Sequence, residues 1–300
     1  MGQGRSLEVV SVERRKLRLM DIVKRARAMK EACALARAQG KIIGFVPTMG
    51  ALHEGHLGLV RRVKAQADLT VVSIFVNPTQ FGPREDFTRY PRRLPEDAEM
   101  LGREGVDILF APEPGEMYPP GAVTFVEVAG LSDKLEGKSR PGHFRGVATV
   151  VTKLFEIVVP HVAAFGQKDA QQAIIIKTLE RDLMLNVEIL VLPTKREEDG
   201  LAMSSRNAFL APVERRAALA IPRALEAAKA AFDAGERDAA RLLAAARAVL
   251  AAEPLLTVDY VELVDTERLD PVARVHGDAL LAVAVAAGVT RLIDNIVLRS

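Results

Sequence analysis

The sequence predicts an α/β fold, a parallel sheet with helices on both faces, followed by a smaller C-terminal α+β domain. Two observations predict it. As far as Leu192, short apolar runs rich in β-branched residues alternate with segments whose apolar residues recur at helical spacing, the pattern of βαβ units. Beyond Leu192 the alternation stops. A charged stretch leads there into an alanine-rich helical region, and then into strand-like alternation.

Residues 41–46 (KIIGFV), just after Gly40, read as a buried strand. Leu57, Val60, Val63 and Ala67 then share one helical face. Residues 69–76 (LTVVSIFV) form a second strand by their β-branched content. Pro95 opens a helix through Leu101, and residues 106–110 (VDILF) are a third strand. Val147, Val150, Val151, Leu154 and Val158 again repeat with a helical period. A strand at 161–165, a helix from Asp169 and a strand at 187–192 complete the sheet. Residues 193–200 (PTKREEDG) are charged and turn-forming, a hinge or linker. Residues 212–253 are helical, with Pro222 marking a kink or a break. Stretches 258–264, 279–286 and 291–298 read as antiparallel strands, with Gly288 between the last two. The expected division is 1–194 and 195–300.

Apolar residues make up 49% of the chain, ample for a core, yet no run is long enough to cross a bilayer. Residues 1–18 are polar and basic, so no secretory signal is expected. The single cysteine, Cys33, excludes an intrachain disulfide, and both features fit a cytoplasmic protein. Net charge is only +2, from 41 basic and 39 acidic residues, which argues against a nucleic-acid partner. Arg14-Arg15-Lys16 with Arg18, and Arg61-Arg62, read as solvated helix faces.

The chemistry concentrates where the first strand gives way to a helix, in residues 46–57 (VPTMGALHEGHL). Gly50 and Gly55 let backbone approach a ligand, and the helix start offers free N–H groups for phosphate. His53 and His56 lie three residues apart, on one face of the first turn. Such a pair suits hydrogen bonds to phosphate; metal binding and chance are the competing readings. The metalloprotease pattern places its second histidine one residue later, and only His143, His161 and His276 remain as further ligands. Gln80 can project from a strand end, where an amide suits a carboxylate or hydroxyl; a turn residue facing water is the competing reading. Lys168 and Asp169, at another strand end, suit phosphate and ribose, with an ordinary exposed pair as the competing reading. Residues 203–206 (MSSR) put two hydroxyls and a guanidinium in a loop at the domain junction, a mobile clamp for triphosphate.

His-x-Gly-His after a first strand is similar to nucleotidyltransferases and class I aminoacyl-tRNA synthetases. The longer string PTMGALHEGHL resembles the pantothenate synthetase family, ligases that join pantoate to β-alanine. Further blocks agree in order: 76–81 (VNPTQF), 140–146 (RPGHFRG), 165–172 (FGQKDAQQ) and 199–207 (DGLAMSSRN). The resemblance implies a Rossmann-like sheet domain and a C-terminal lid. It implies ATP contacts from Met49, Gly50, Ala51, Leu52, His53, Glu54, Gly55 and His56, from Gly166, Gln167, Lys168 and Asp169, and from Lys195, Met203, Ser204, Ser205 and Arg206. Gln80 and Gln172 would bind pantoate. His53, His56, Lys168, Ser204, Ser205 and Arg206 would be catalytic, with His56 the proton donor. Magnesium would associate with Glu96 or Asp97, and the protein would be a homodimer. The implied reaction uses ATP to form a pantoyl-adenylate, which β-alanine converts to pantothenate and AMP. Gln167 and Ala170 depart from the family pattern, where glutamate and a larger residue are common. A different nucleotidyltransferase, a synthetase fragment and a non-catalytic nucleotide-binding module are the alternatives.

Overall fold

The computed structural model describes residues 20–83 and 85–299; the basic cluster at Arg14 to Arg18 lies outside them. The described chain runs through β1 (Asp21–Val23), α1 (Ala26–Ala38), β2 (Ile43–Thr48), α2 (Glu54–Lys64), β3 (Leu69–Ile74), α3 (Leu94–Arg103) and β4 (Ile108–Phe110). Two short helices, α4 (Pro114–Met117) and α5 (Leu135–Ser139), precede α6 (His143–Val158), β5 (Val162–Gly166), α7 (Ala170–Asp182) and β6 (Glu188–Leu192). These six strands form one parallel sheet in the order β1-β4-β3-β2-β5-β6.

Alternation along the strands dresses both faces of the sheet. Ile43, Phe45, Leu69 and Val71 join a core with Met29 and Cys33 of α1, Val147 and Val151 of α6, and Ile175 of α7. Val46 and Val72 face the opposite way, against Leu59, Val60 and Val63 of α2 and Leu101 of α3. The strand β1 had no counterpart in the sequence pattern. It has three residues at the sheet edge, Ile22 stays exposed, and its register with β4 holds it in place. Cys33 is buried, and burial pushes its thiol up to about 12, so it serves as core.

The remainder comprises α8 (Pro212–Ala218), α9 (Ala220–Asp233), α10 (Ala239–Ala251) and an antiparallel sheet of β7 (Leu256–Asp265), β8 (Ala279–Ala287) and β9 (Thr290–Leu298). The helical region breaks at Leu219, because Pro222 has no N–H for the carbonyl four residues back and sits in the first turn of α9. Strand β8 is apolar throughout because both its faces are covered. Leu281, Val283 and Val285 pack with α9 and α10, whereas Leu280 and Ala282 belong to the same core as the parallel sheet. Among the described residues no helix is long and apolar enough to cross a membrane.

The loop after β3 is pressed against α6 at Gly146. A Cβ placed there would lie 2.5 Å from the Thr79 carbonyl oxygen and 2.7 Å from Gln80 Cα. The Gly146→Ala change gains about 1 kcal/mol in helix propensity. A clash with backbone, which has no rotamer to escape into, costs about 1–3 kcal/mol. We therefore expect a net loss of stability in urea unfolding; an unchanged or raised midpoint would mean the Gln80 loop is not held there.

Candidate active site

The site begins where two strands part. Strand β2 pairs with β3 over all six residues, but with β5 only at Gly44↔Val162 and Phe45↔Ala163. Ile43 faces β5, since its carbonyl accepts the His161 N–H. By alternation Phe45 and Pro47 face β5 as well, and Pro47 has no N–H to give. The ladder stops, and a crevice opens between the carboxyl ends of β2 and β5, lined by Pro47, Thr48, Ala164, Phe165 and Gly166. Strand order reverses between these two strands, the position at which open parallel sheets take their ligands.

One wall of the crevice is the turn from β2 to α2. Gly50 (φ 84°) and Ala51 (φ 50°) are both left-handed, so the backbone doubles back before the helix. Asp97, buried on α3, pins this turn: its oxygens accept the N–H groups of Ala51 and Leu52, both at 2.8 Å. Burial raises the Asp97 carboxyl above its ordinary range, against the pull of those two N–H groups. His53 and His56 close the helix start reciprocally. His53 Nδ1 accepts from Gly55 N–H at 3.2 Å, and His56 Nδ1 from His53 N–H at 3.3 Å. With Nδ1 accepting in both neutral rings, the proton sits on Nε2, and the two rings, tilted by 39°, have centroids 4.1 Å apart beside the crevice. Burial, and then the neighbouring His53, push His56 down to about 3. His53 is lowered too, by burial first and Lys168 second. Both are neutral N–H donors at pH 7.

The opposite wall leaves β5 and β6. Lys168 has its ammonium 3.8 Å from Asp169, the nearest acid. Its backbone is held from β9: Asn295 donates to the carbonyls of Gln167 (3.0 Å) and Lys168 (2.9 Å) and accepts from Gln167 Nε2 (3.0 Å). The adjacent Asp294 binds Arg196 at 2.6 Å, next to Lys195 in the crevice lining. Ser204 caps its own turn by accepting the Arg206 N–H at 3.3 Å, and Ser205 Oγ lies 3.4 Å from Tyr90 OH. The enclosed hydroxyl of Thr194 lines the crevice and has no partner among the described residues.

A third group comes from the loop after β3 and from α6. Buried Asn77 donates to Gln80 Oε1 at 3.0 Å and to the Gly146 carbonyl at 3.1 Å, which fixes the Gln80 amide, and Gln80 Nε2 meets Met49 Sδ at 3.1 Å. Gln172, in the first turn of α7, faces the same space. Phe75, Val147, Val150 and Leu154 supply an apolar floor.

Of the residues expected to contact ATP, Met49, His53, Gly55, His56, Gly166, Lys168, Asp169, Lys195, Met203, Ser204, Ser205 and Arg206 line the crevice, as do Gln80 and Gln172. Gly50, Ala51, Leu52, Glu54 and Gln167 do not. The N–H groups of Ala51 and Leu52 are taken by Asp97, Leu52 is core, and Glu54 pairs with Arg61 on the surface. Asp97 anchors the turn through one N–H on each carboxylate oxygen, and Glu96 is exposed outside the crevice. Among the described residues no three His, Cys, Asp or Glu side chains cluster to hold a metal. Asn77, Tyr90, Arg140, His143 and Thr194 are site residues the sequence reading passed over; the 140–146 block held two of them.

Fold and site together define a ligase of the Rossmann-like α/β class. The family model of pantoate-beta-alanine ligase matches residues 21–297. A pantothenate synthetase of Pelotomaculum thermopropionicum is 58% identical over 263 residues, 88% of this chain and 93% of that protein. The crystal structure of pantothenate synthetase from Thermus thermophilus superposes with a TM-score of 0.87 at 44% identity, covering 94% of this chain and 100% of that one. Pantoate-beta-alanine ligase from Francisella tularensis, complexed with beta-gamma ATP and beta-alanine, gives 0.75 at 34% identity, over 92% and 97%. The chain belongs to the pantoate-beta-alanine ligase family.

The buried histidines make stability depend on pH. His143 is pushed down from 6.5 to about 4 by burial and by Arg140, and His53 and His56 are lowered as well. As pH falls through 6.5 the unfolded chain takes up protons that the folded chain refuses. Stability therefore drops towards pH 4, by up to about 1.4 kcal/mol per pH unit for each such histidine. Urea midpoints should fall less steeply between pH 6.5 and 4 for His143→Gln than for the parent; parallel curves would contradict a neutral buried His143.

Proposed function

We propose that the chain condenses pantoate with β-alanine, using ATP, through a pantoyl-adenylate that releases AMP and pyrophosphate. One observation carries this reading. At the parted ends of β2 and β5, phosphate-type donors stand on two walls, and two amides stand over an apolar floor on the third. The Gln80 and Gln172 amides suit the carboxylate and hydroxyls of pantoate, and Val147 and Val150 suit its dimethyl carbon. A carboxylate oxygen attacks the α-phosphorus and pyrophosphate leaves. The charge that develops is met by the Nε2–H groups of His53 and His56, with His56 nearest the α-phosphate, and by Lys168, Arg206, Ser204 and Ser205. The β-alanine amine then attacks the activated carbonyl, and AMP departs with one former carboxylate oxygen.

Magnesium enters this scheme with the nucleotide. The crevice donors are mainly N–H and hydroxyl groups rather than a carboxylate cage, so phosphate oxygens would supply most of its ligands. An adenylate hydrolyses readily, so the part after residue 194 is read as a lid, with the Met203 to Arg206 loop as its closing edge. A cytoplasmic homodimer is part of the same reading. Val123 and Phe125, 82% and 50% exposed in a stretch outside any helix or strand, offer an apolar contact for a second copy. Sedimentation should give a dimer that Val123→Glu with Phe125→Glu dissociates; a monomeric parent would contradict it.

The deciding experiment follows ATP in the presence of magnesium, pantoate and β-alanine, omitting each in turn. AMP, pyrophosphate and pantothenate should accumulate only in the complete mixture. ADP with phosphate, or a product that retains the nucleotide, would point to another reaction of this fold. For His56→Ala we expect kcat to fall about 10²–10³-fold with ATP still bound; near-normal turnover would remove His56 from the mechanism.

A further inference from the structure

Glu85 and Asp86 are neighbours in the loop between β3 and α3, and each holds an arginine from a different wall of the crevice. Arg140 reaches Glu85 through Nε (2.8 Å) and Nη2 (2.5 Å), one nitrogen on each carboxylate oxygen. Arg206 reaches Asp86 in the same way, through Nε (2.8 Å) and Nη2 (3.0 Å). The acids are only 24% and 15% exposed. Fork-to-fork pairs of this kind fix the plane of a guanidinium as well as its charge.

What each arginine does with its remaining nitrogen differs. Arg140 Nη1 lies 3.2 Å from His143 Nε2, and His143 Nδ1–H donates to the Gln80 carbonyl at 2.8 Å. Glu85 therefore acts, through Arg140 and His143, on the backbone that carries the Gln80 amide. Arg206 Nη1 has no partner among the described residues, and Arg206 lines the crevice beside Lys168. Asp86 therefore holds two nitrogens of Arg206 and leaves the third for a ligand. The loop is itself braced: Phe81 packs on Phe87 and Tyr90, with ring centroids 5.3 and 5.9 Å apart. Backbone bonds from Glu85 to Gly82 and from Arg89 to Asp86 close its turns.

We propose that Glu85 and Asp86 are positioning residues assigned to different substrates, Glu85 to the carboxylic acid through Gln80 and Asp86 to the nucleotide phosphates through Arg206. The assignment rests on the reaction proposed above. Two ordinary ion pairs would affect stability alone, or both substrates alike. The adjacent acids instead divide their effects between the substrates.

The test is steady-state kinetics on Asp86→Asn and Glu85→Gln, varying ATP and pantoate separately, with melting temperatures measured alongside. Asp86→Asn should raise the KM for ATP by about tenfold or more and leave that for pantoate near its parent value. Glu85→Gln should do the reverse. If either amide variant is too unstable to assay, Asp86→Glu and Glu85→Asp keep the charge, shift the fork by one methylene and should show the same split on a smaller scale. Both constants moving together, or neither moving, in folded variants of an active parent would overturn the assignment alone. A parent with no turnover dependent on ATP and pantoate would overturn the functional reading and this assignment with it.

Discussion

Strands β2 and β5 share a ladder only at Gly44–Phe45 and Val162–Ala163, and the site is built in the gap beyond. Closed strands would leave the His53 turn and the Lys168 turn no space between them. Pro47 enforces the gap by withholding the N–H that would extend the ladder, while β3 and β6 support the outer sides of the two strands over their full length. The parting is thus local, and it costs the sheet few hydrogen bonds.

Around that gap, groups that point inward are held by atoms that point elsewhere. The imidazoles are fixed through Nδ1, which leaves Nε2–H free, and their turn hangs on Asp97. The Lys168 backbone is clamped by Asn295, and the Gln80 amide by Asn77. Donors arranged before the ligand arrives need little reorganisation as charge develops, which is where electrostatic catalysis gains most. The cost is visible in the histidines, whose burial holds them neutral well below the pH at which free imidazole titrates. Strand β9 also gives the C-terminal sheet a part in the site, since Asp294 and Asn295 brace the exits of β6 and β5.

Much of this was legible in the sequence. The run KIIGFV, the β-branched second strand and the helical repeat of Val147 to Val158 signal their elements, because a strand buried on both faces and a helix on one have distinct periods. The three-residue β1 was not legible, being too short to carry any period. The HEGH turn announces itself locally, but the role of Asp97 does not: it lies 45 and 46 residues from the N–H groups it binds. Arg140 with Glu85 and Asn295 with Lys168 are 55 and 127 residues apart and leave no local signature. Backbone N–H groups in the turn before α2 look available in sequence. Only packing reveals that Ala51 and Leu52 have spent theirs on Asp97.

In the proposed reaction the carboxylic acid is the nucleophile toward phosphorus, and the donors of His53, His56, Lys168 and Arg206 would meet the charge on the reacting phosphates. Running the reaction with pantoate labelled with oxygen-18 in its carboxylate, and weighing the nucleotide product, tests this most directly. One labelled oxygen should appear in AMP, carried over when the amine displaces the adenylate. Label found in inorganic phosphate beside ADP, or unlabelled AMP, would contradict an acyl-adenylate and with it the role assigned to the crevice.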